Sequence, residues 1–314
     1  MGSVICVTGG AGFIGSHVTE ALLKDGHRVL IVDDLSGGCK ENVPDGAELI
    51  VADVRSDAAA RLLAERRVEV LVHHAAQMDV RRSVVDPRFD ADVNIGGLLN
   101  LLEAARGASV RQVVFASTGG AIYGEQDVFP AGEDHPVRPL SPYGVAKLAS
   151  ERYLYYYNQQ YGLDVACLRY ANVYGPRQSP HGEAGVVAIF MHRLLSGRQP
   201  VINGDGRQTR DYVYVGDVVR ANLAVLGLPG FRIYNVGTAV ETDVNRLFEL
   251  IRRAVGGGPE AEHGPSKPGE QLRSCITSER LEEELALRIG TPLTDGLSIT
   301  ASWFRSNQDL AESR

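Results

Sequence analysis

Cysteine is scarce in this chain. Its four cysteines, at positions 6, 39, 167 and 275 of 314 residues, include no CxxC pair and no Cys/His cluster, which argues against a metal centre. Cys6 and Cys167 lie inside apolar runs, where reduced cysteines serve as packing residues. No stretch approaches the roughly 20 apolar residues of a membrane-spanning helix. The start, MGSVICVTGG, lacks the basic segment that precedes the apolar part of a secretory leader, so a cytoplasmic protein is expected. Positive charge is in deficit as well. The 32 Lys and Arg against 39 Asp and Glu leave a net charge of −7, unfavourable for nucleic acid or anionic membrane as partners. The sequence shows no internal repeat and no low-complexity tail.

What the chain has in supply is glycine and short apolar runs. The runs at 4–8, 28–34, 47–54, 68–76, 111–117 and 164–170 read as buried strands. Helices are expected from Phe13 to about Lys24, from Arg88 to Ala105, and from near Pro142 towards Tyr161. Nearly all-apolar strands alternating with helices imply βαβ units and a parallel sheet covered on both faces. The expected fold class is therefore α/β: a doubly wound parallel Rossmann sheet in residues 1–175, then a smaller C-terminal substrate-binding α/β domain in 176–314. The boundary follows Tyr174-Gly175-Pro176, where the sequence turns polar. The segments 178–185, 203–212 and 256–270, rich in glycine and polar residues, read as loops. The run 232–237 reads as one more buried strand, a candidate to return to the sheet.

Thr8-Gly9-Gly10-Ala11-Gly12-Phe13-Ile14-Gly15 sits between the first strand and the first helix, with glycines spaced GxxGxxG at 9, 12 and 15. A turn without side chains lets backbone N–H groups approach a pyrophosphate at the positive end of a helix. Asp33 closes the second strand about 20 residues on, where a carboxylate accepts the adenosine ribose hydroxyls and repels a 2′-phosphate. Asp34 adds to that repulsion, so NAD is expected rather than NADP. Asp53-Val54, ending the third strand, is placed to hold the adenine edge.

Tyr143 and Lys147 stand four apart in SPYGVAKLAS, a spacing that puts both on one helix face. A free tyrosine ionises near pH 10. Making it a base at neutral pH requires a shift of roughly 3 units, about 4 kcal/mol, from a cation in a partly dry site. Ser117-Thr118 ends the fifth strand at the carboxyl edge, where ligands bind in open α/β sheets. A hydroxyl there can bond the substrate's reacting oxygen beside Tyr143, or cap its own backbone.

These motifs, taken with HHAAQMDVRRSVVDP (73–87), FASTGGAIYGE (115–125), LRYANVYGPRQ (168–178), GDGRQTRDYVYVGD (204–217) and YNVG (234–237), occur in the order found in one family. From end to end the chain resembles the nucleotide-sugar epimerases of the UDP-glucose 4-epimerase type, which are extended short-chain dehydrogenase/reductases. The resemblance implies that Tyr143 is the base, Lys147 its electrostatic partner and a ribose ligand, and Thr118 the hydroxyl. It implies NAD contacts at Gly9, Gly12, Phe13, Ile14, Gly15, Asp33, Asp53, Val54, Ala75, Ala76 and Tyr170. Asn172, Arg210 and Arg273 would hold the substrate diphosphate. The implied activity is 4-epimerisation of a UDP-sugar, first of all UDP-glucose and UDP-galactose, through a transient 4-keto sugar. UDP-N-acetylglucosamine and UDP-glucuronate are the alternatives. The aromatic helix at 142–161, paired with the one at 88–105, implies a homodimer.

Three positions depart from the family pattern. Thr118-Gly119-Gly120 replaces the usual Ser-x-Thr, and Lys267-Pro268-Gly269-Glu270 replaces Arg-Pro-Gly-Asp. Ser274 stands near the place of a bulky aromatic that limits the sugar's 2-substituent. A 4,6-dehydratase needs an Asp-Glu pair after the threonine, where this chain has Gly119-Gly120. A non-catalytic NAD-binding relative would lose Tyr143 or Lys147, and both are present.

Overall fold

The computed structural model describes residues 2–181, 185–266 and 271–307. In chain order its elements are β1 (Val4–Thr8), α1 (Phe13–Lys24), β2 (Arg28–Asp33), β3 (Glu48–Val51), α2 (Asp57–Glu65), β4 (Val70–His73), α3 (Val80–Val85), α4 (Pro87–Ala91), α5 (Gly97–Gly107), β5 (Gln112–Thr118), α6 (Gly119–Ile122), α7 (Pro142–Tyr161) and β6 (Asp164–Tyr170). They continue with β7 (Asn172–Tyr174), α8 (Val186–Leu195), β8 (Val201–Asn203), β9 (Thr209–Tyr214), α9 (Val215–Ala224), β10 (Phe231–Val236), β11 (Glu241–Asp243), α10 (Val244–Ala254), β12 (Glu262–Gly264), β13 (Arg273–Ser274), α11 (Glu279–Leu285) and α12 (Leu293–Ser306).

Seven strands form one sheet in the order β10-β6-β5-β4-β1-β2-β3. The chain leaves β1 towards β2 and β3, then crosses back to start β4 on β1's other side. That reversal makes a switch point between β1 and β4, where open α/β sheets bind ligands at the carboxyl ends of the strands. Residues 5–8 of β1 pair in parallel with 29–32 of β2 and 70–73 of β4. The strands are apolar because helices cover them. Cys6, Leu30, Leu71, Val113 and Cys167 pack with Leu98, Leu101 and Leu102 of α5, all at 0% exposure. Each such burial is worth about 1.5–3 kcal/mol for a leucine or valine.

The chain folds into two compact units. The first comprises residues 1–122, 137–169 and 219–234; the second comprises 123–136, 170–218 and 235–314. In the second unit β9 pairs with β11, β13 and β7, while β12 pairs with β8. Its core is built from Phe190 and Met191 of α8, Leu247, Phe248 and Ile251 of α10, and Leu297 and Phe304 of α12.

Two loop expectations are corrected. The run 256–270 contains β12, which is held to β8 by backbone pairing and by the His263 ring bonded to the Gly204 carbonyl at 2.7 Å, so its polar sequence gives no apolar strand signal. The segment 203–212 contains four of the six residues of β9. Asp211, which reads as a loop acid, is 1% exposed and turned inward. Its oxygens accept N–H bonds from Thr238 at 3.0 Å. The departure at Lys267–Glu270 lies outside the described residues.

Candidate active site

The glycine turn after β1 is built so that side chains would fill it. Gly9 adopts φ +70°, and a Cβ there would meet the Ala75 nitrogen at 2.7 Å. A Cβ on Gly15 would meet the Gly9 carbonyl oxygen at 2.2 Å. Gly12 is the N-cap of α1 and supplies no side-chain cap, so the first-turn N–H groups of Phe13, Ile14 and Gly15 are left to an external acceptor. This cradle suits a dinucleotide pyrophosphate. Asp33 is 6% exposed and does a second job that the sequence did not show. It accepts the Ala11 N–H at 3.0 Å and the Leu35 N–H at 2.9 Å, so it pins the glycine turn to the end of β2. Burial raises its pKa, Asp34 adds to the rise, and the two N–H bonds oppose it. Two oxygens with about four lone-pair sites leave acceptor capacity for a ribose.

On the other side of β1, Ala75 donates its N–H to Thr8 Oγ1 at 3.2 Å, and Ala76 continues the same strand end. Val54 is buried, but Asp53 is taken up locally. Its carboxylate meets Arg55 Nε at 3.0 Å and Nη2 at 2.5 Å, and this pairing holds its pKa below the usual range. Arg55 also reaches Asp92 at 2.5 Å. Arg55 is therefore a residue of this edge that motif reading missed.

The reacting groups converge where α7 packs along β5. Ser141 caps α7 by accepting the Gly144 N–H at 3.1 Å, Pro142 opens its first turn, and Gly162 in the left-handed region ends it. That start fixes Tyr143 one turn above Lys147. The Lys147 Nζ lies 5.9 Å from the centre of the Tyr143 ring and 4.7 Å from that of Phe115. It donates to the Ala116 carbonyl at 2.9 Å, which ties the helix to the strand two residues before Thr118. Thr118 Oγ1 accepts the Ala121 N–H at 3.2 Å, which leaves its hydrogen to donate elsewhere. Ser117 is committed to the interior: its hydroxyl donates to Glu151 at 2.6 Å, and Glu151 pairs with Arg169 at 2.7 Å. Burial raises the Tyr143 pKa, and the charge of Asp90 raises it further. Burial pushes Lys147 down to about 8, opposed by Asp90 and Glu151.

In the second unit, β9 organises the expected diphosphate ligands. Arg210 pairs in register with Ser274 and Thr242, and Asn172 pairs with Tyr212. Residues paired across strands share a face, as do residues two apart. Asn172, Arg210 and Ser274 therefore lie on one face of this sheet. Arg273 pairs with Thr209 and lies on the other. There its guanidinium is spoken for by Glu241, at 2.9 and 2.5 Å, and lies 3.8 Å from the centre of the Phe129 ring. Tyr170 closes β6 and is 6% exposed.

A parallel sheet in this order, a glycine cradle at its switch point and a Tyr-x-x-x-Lys helix define a dinucleotide-dependent enzyme of the extended short-chain dehydrogenase/reductase class. The sequence model of the NAD dependent epimerase/dehydratase family matches residues 5–237. The UDP-glucose 4-epimerase of Mycolicibacterium smegmatis is 48% identical over 306 residues, which cover 96% of this chain and 98% of that one. The crystal structure of UDP-glucose 4-epimerase with UDP-glucose from Thermotoga maritima is similar at TM-score 0.95 and 44% identity, covering 97% of this chain and 99% of that one. The crystal structure of the UDP-glucose 4-epimerase complex with NAD from Thermus thermophilus is similar at TM-score 0.91 and 45% identity, covering 96% and 99%. The chain belongs to the NAD dependent epimerase/dehydratase family.

Proposed function

We propose that this protein is an NAD-dependent UDP-sugar 4-epimerase that interconverts UDP-glucose and UDP-galactose. Gly9, Gly12, Phe13, Ile14 and Gly15 hold the cofactor pyrophosphate, Asp33 a ribose, and Val54, Ala75, Ala76 and Tyr170 line its course. NAD, when bound, supplies a reversible two-electron oxidation at C4 of the sugar. Tyr143 takes the proton of the 4-hydroxyl and later returns it, Lys147 supplies positive charge beside the phenol, and Thr118 donates to the reacting oxygen. Asn172 and Arg210 hold the diphosphate, remote from the chemistry, so that the keto sugar stays bound while it turns. Arg273 is a weaker candidate for that task, given its pairing with Glu241. Two such chains associate through the tyrosine-rich face of α7.

The observation that carries this reading is the Tyr143–Lys147 pair, anchored to β5 beside a glycine cradle and set in a chain similar end to end to UDP-glucose 4-epimerases. A 4,6-dehydratase is disfavoured because α6, directly after Thr118, begins Gly119-Gly120 and carries no acid or base. A second reading, a substrate N-acetylated at C2, draws support from Ser274. It is small and shares the sheet face of Arg210.

Incubation with UDP-glucose, UDP-N-acetylglucosamine and UDP-glucuronate in turn, with products resolved by proton NMR, tests the proposal. The expected result is UDP-galactose from UDP-glucose, with Tyr143→Phe slower by roughly 10²–10⁴-fold. No 4-epimer from any of the three sinks it.

A further inference from the structure

Asp90 belongs to no motif used above, yet it is 1% exposed. It lies on α4, which packs against α7. One of its oxygens accepts from Gln77 Nε2 and from Asn94 Nδ2, each at 3.0 Å. Those two donors are themselves fixed. Asn94 and Gln77 exchange a pair of bonds, Gln77 N–H to Asn94 Oδ1 and Asn94 Nδ2 to the Gln77 carbonyl, both at 2.9 Å. Asn94 sits in a π-helical turn, Asp92–Gly96, which inserts an extra residue between α4 and α5. The other Asp90 oxygen is buried and has no hydrogen-bond partner. A buried polar oxygen left unpaired costs about 1–3 kcal/mol, more for a charged group. Burial raises the Asp90 pKa, against the Gln77 and Asn94 bonds and the charge of Lys147, so an acid held here at a cost calls for an explanation.

The groups around Lys147 supply one. Glu151, from α7, is paired with Arg169 of β6. His73 and His74, at the end of β4, are each pushed down to about 3 by burial and then by Lys147, so both are neutral at physiological pH. Tyr143 is a neutral phenol, since burial raises its pKa. From α3 come Arg81 and Arg82, both exposed. Asp92, in the π turn, is exposed and paired with Arg55. Asp90, buried on α4 where that helix packs on α7, and Glu151 are the two described acids whose charge bears on Lys147; Glu151 is already paired with Arg169, whereas Asp90 has no ion pair among the described residues.

We propose that Asp90 is the counter-ion that keeps Lys147 protonated inside the site, and that it acts through Lys147 rather than on the substrate. The Gln77–Asn94 brace holds the carboxylate in place while leaving its charge unneutralised. The design involves a trade. The same charge disfavours the Tyr143 phenolate, so Asp90 raises the pH range over which the pair works as a whole. This inference rests on the Tyr143–Lys147 reading above.

The chain has only four lysines, at 24, 40, 147 and 267, so Lys147 can be followed directly by NMR of ε-13C-labelled lysine and assigned by the signal lost in Lys147→Arg. In the wild type Lys147 stays charged at neutral pH. A titration midpoint at or below neutrality overturns the proposal without any variant. Asp90→Asn keeps the acceptor for Gln77 and Asn94 and removes the charge. It is expected to lower the Lys147 midpoint by roughly one pH unit or more. Both limbs of its pH–kcat profile move to lower pH, whereas a merely structural residue would lower kcat with the limbs in place. Asp90→Glu, which restores the charge, moves the midpoint back towards wild type. An unmoved midpoint in a folded Asp90→Asn overturns the proposal. If the wild type turns over no UDP-sugar, the epimerase reading fails while the lysine titration still decides the role of Asp90.

Discussion

Burial pushes the Lys147 ammonium down to about 8, close enough to neutrality for its charge to be lost in the ordinary alkaline range. Turnover is therefore expected to fall as pH rises past about 8, measured as kcat on the alkaline side of neutrality. A flat profile there would mean that the lysine charge does not assist Tyr143. Asp211 shows the same physics acting on stability. Burial pushes its carboxyl up from 3.8 to about 6, against hydrogen bonds from Thr238, Ile276 and Ala239. Between those two values the native state holds a proton that the unfolded chain has released. Stability is thus lost as pH rises through that window, by up to about 3 kcal/mol. Asp211→Asn should remove this slope, and urea midpoints of both proteins across the window would show it.

At the scale of elements, a buried ion pair joins α7 to β6. Arg169 and Glu151 are 2% and 1% exposed, and the Ser117 hydroxyl completes the acid's hydrogen bonding from β5. Removing one charge strands the other. Arg169→Met is expected to cost about 3–5 kcal/mol, and Arg169→Met with Glu151→Leu markedly less. Thermal unfolding of the single and double variants distinguishes this from simple loss of packing, which would make the double variant the worse of the two. Both α1 and α7 could be read from sequence because their ends carry local chemistry: a glycine turn before Phe13, and Ser141-Pro142 and Gly162 around α7. The sheet strands were legible because they are largely apolar, as two-sided burial demands of the inner ones, although the edge strand β3 is only partly buried. The π turn in the expected helix 88–105 was not legible, since a one-residue insertion leaves the spacing of apolar residues nearly unchanged. Nor were β12 and the first four residues of β9, where backbone pairing and a buried acid replace apolar patterning. Among the site residues, Arg273 was legible as a charge but its pairing with Glu241 was not, because strands β11 and β13 that bring them together are far apart in sequence.

For the molecule as a whole, the tyrosines of α7 bear on assembly. Tyr153, Tyr155, Tyr156 and Tyr161 are 41–48% exposed on one helix, more aromatic surface than a solvated face requires. If two chains pair there, Tyr153→Glu combined with Tyr156→Glu should yield a monomer in sedimentation, with NAD still recovered from the denatured protein. A wild type that is itself monomeric would sink the homodimer proposal. The threading of the chain has a consequence during synthesis. The first unit draws its last strand residues from 231–234, ending 65 positions after it breaks off at Arg169. At ribosomal speeds of about 5–20 residues per second, the β6 edge emerges roughly 3–13 seconds before the partner that covers it. For that interval the nascent sheet presents an unpaired apolar edge, which makes this stretch of translation the natural moment for a chaperone to hold the chain.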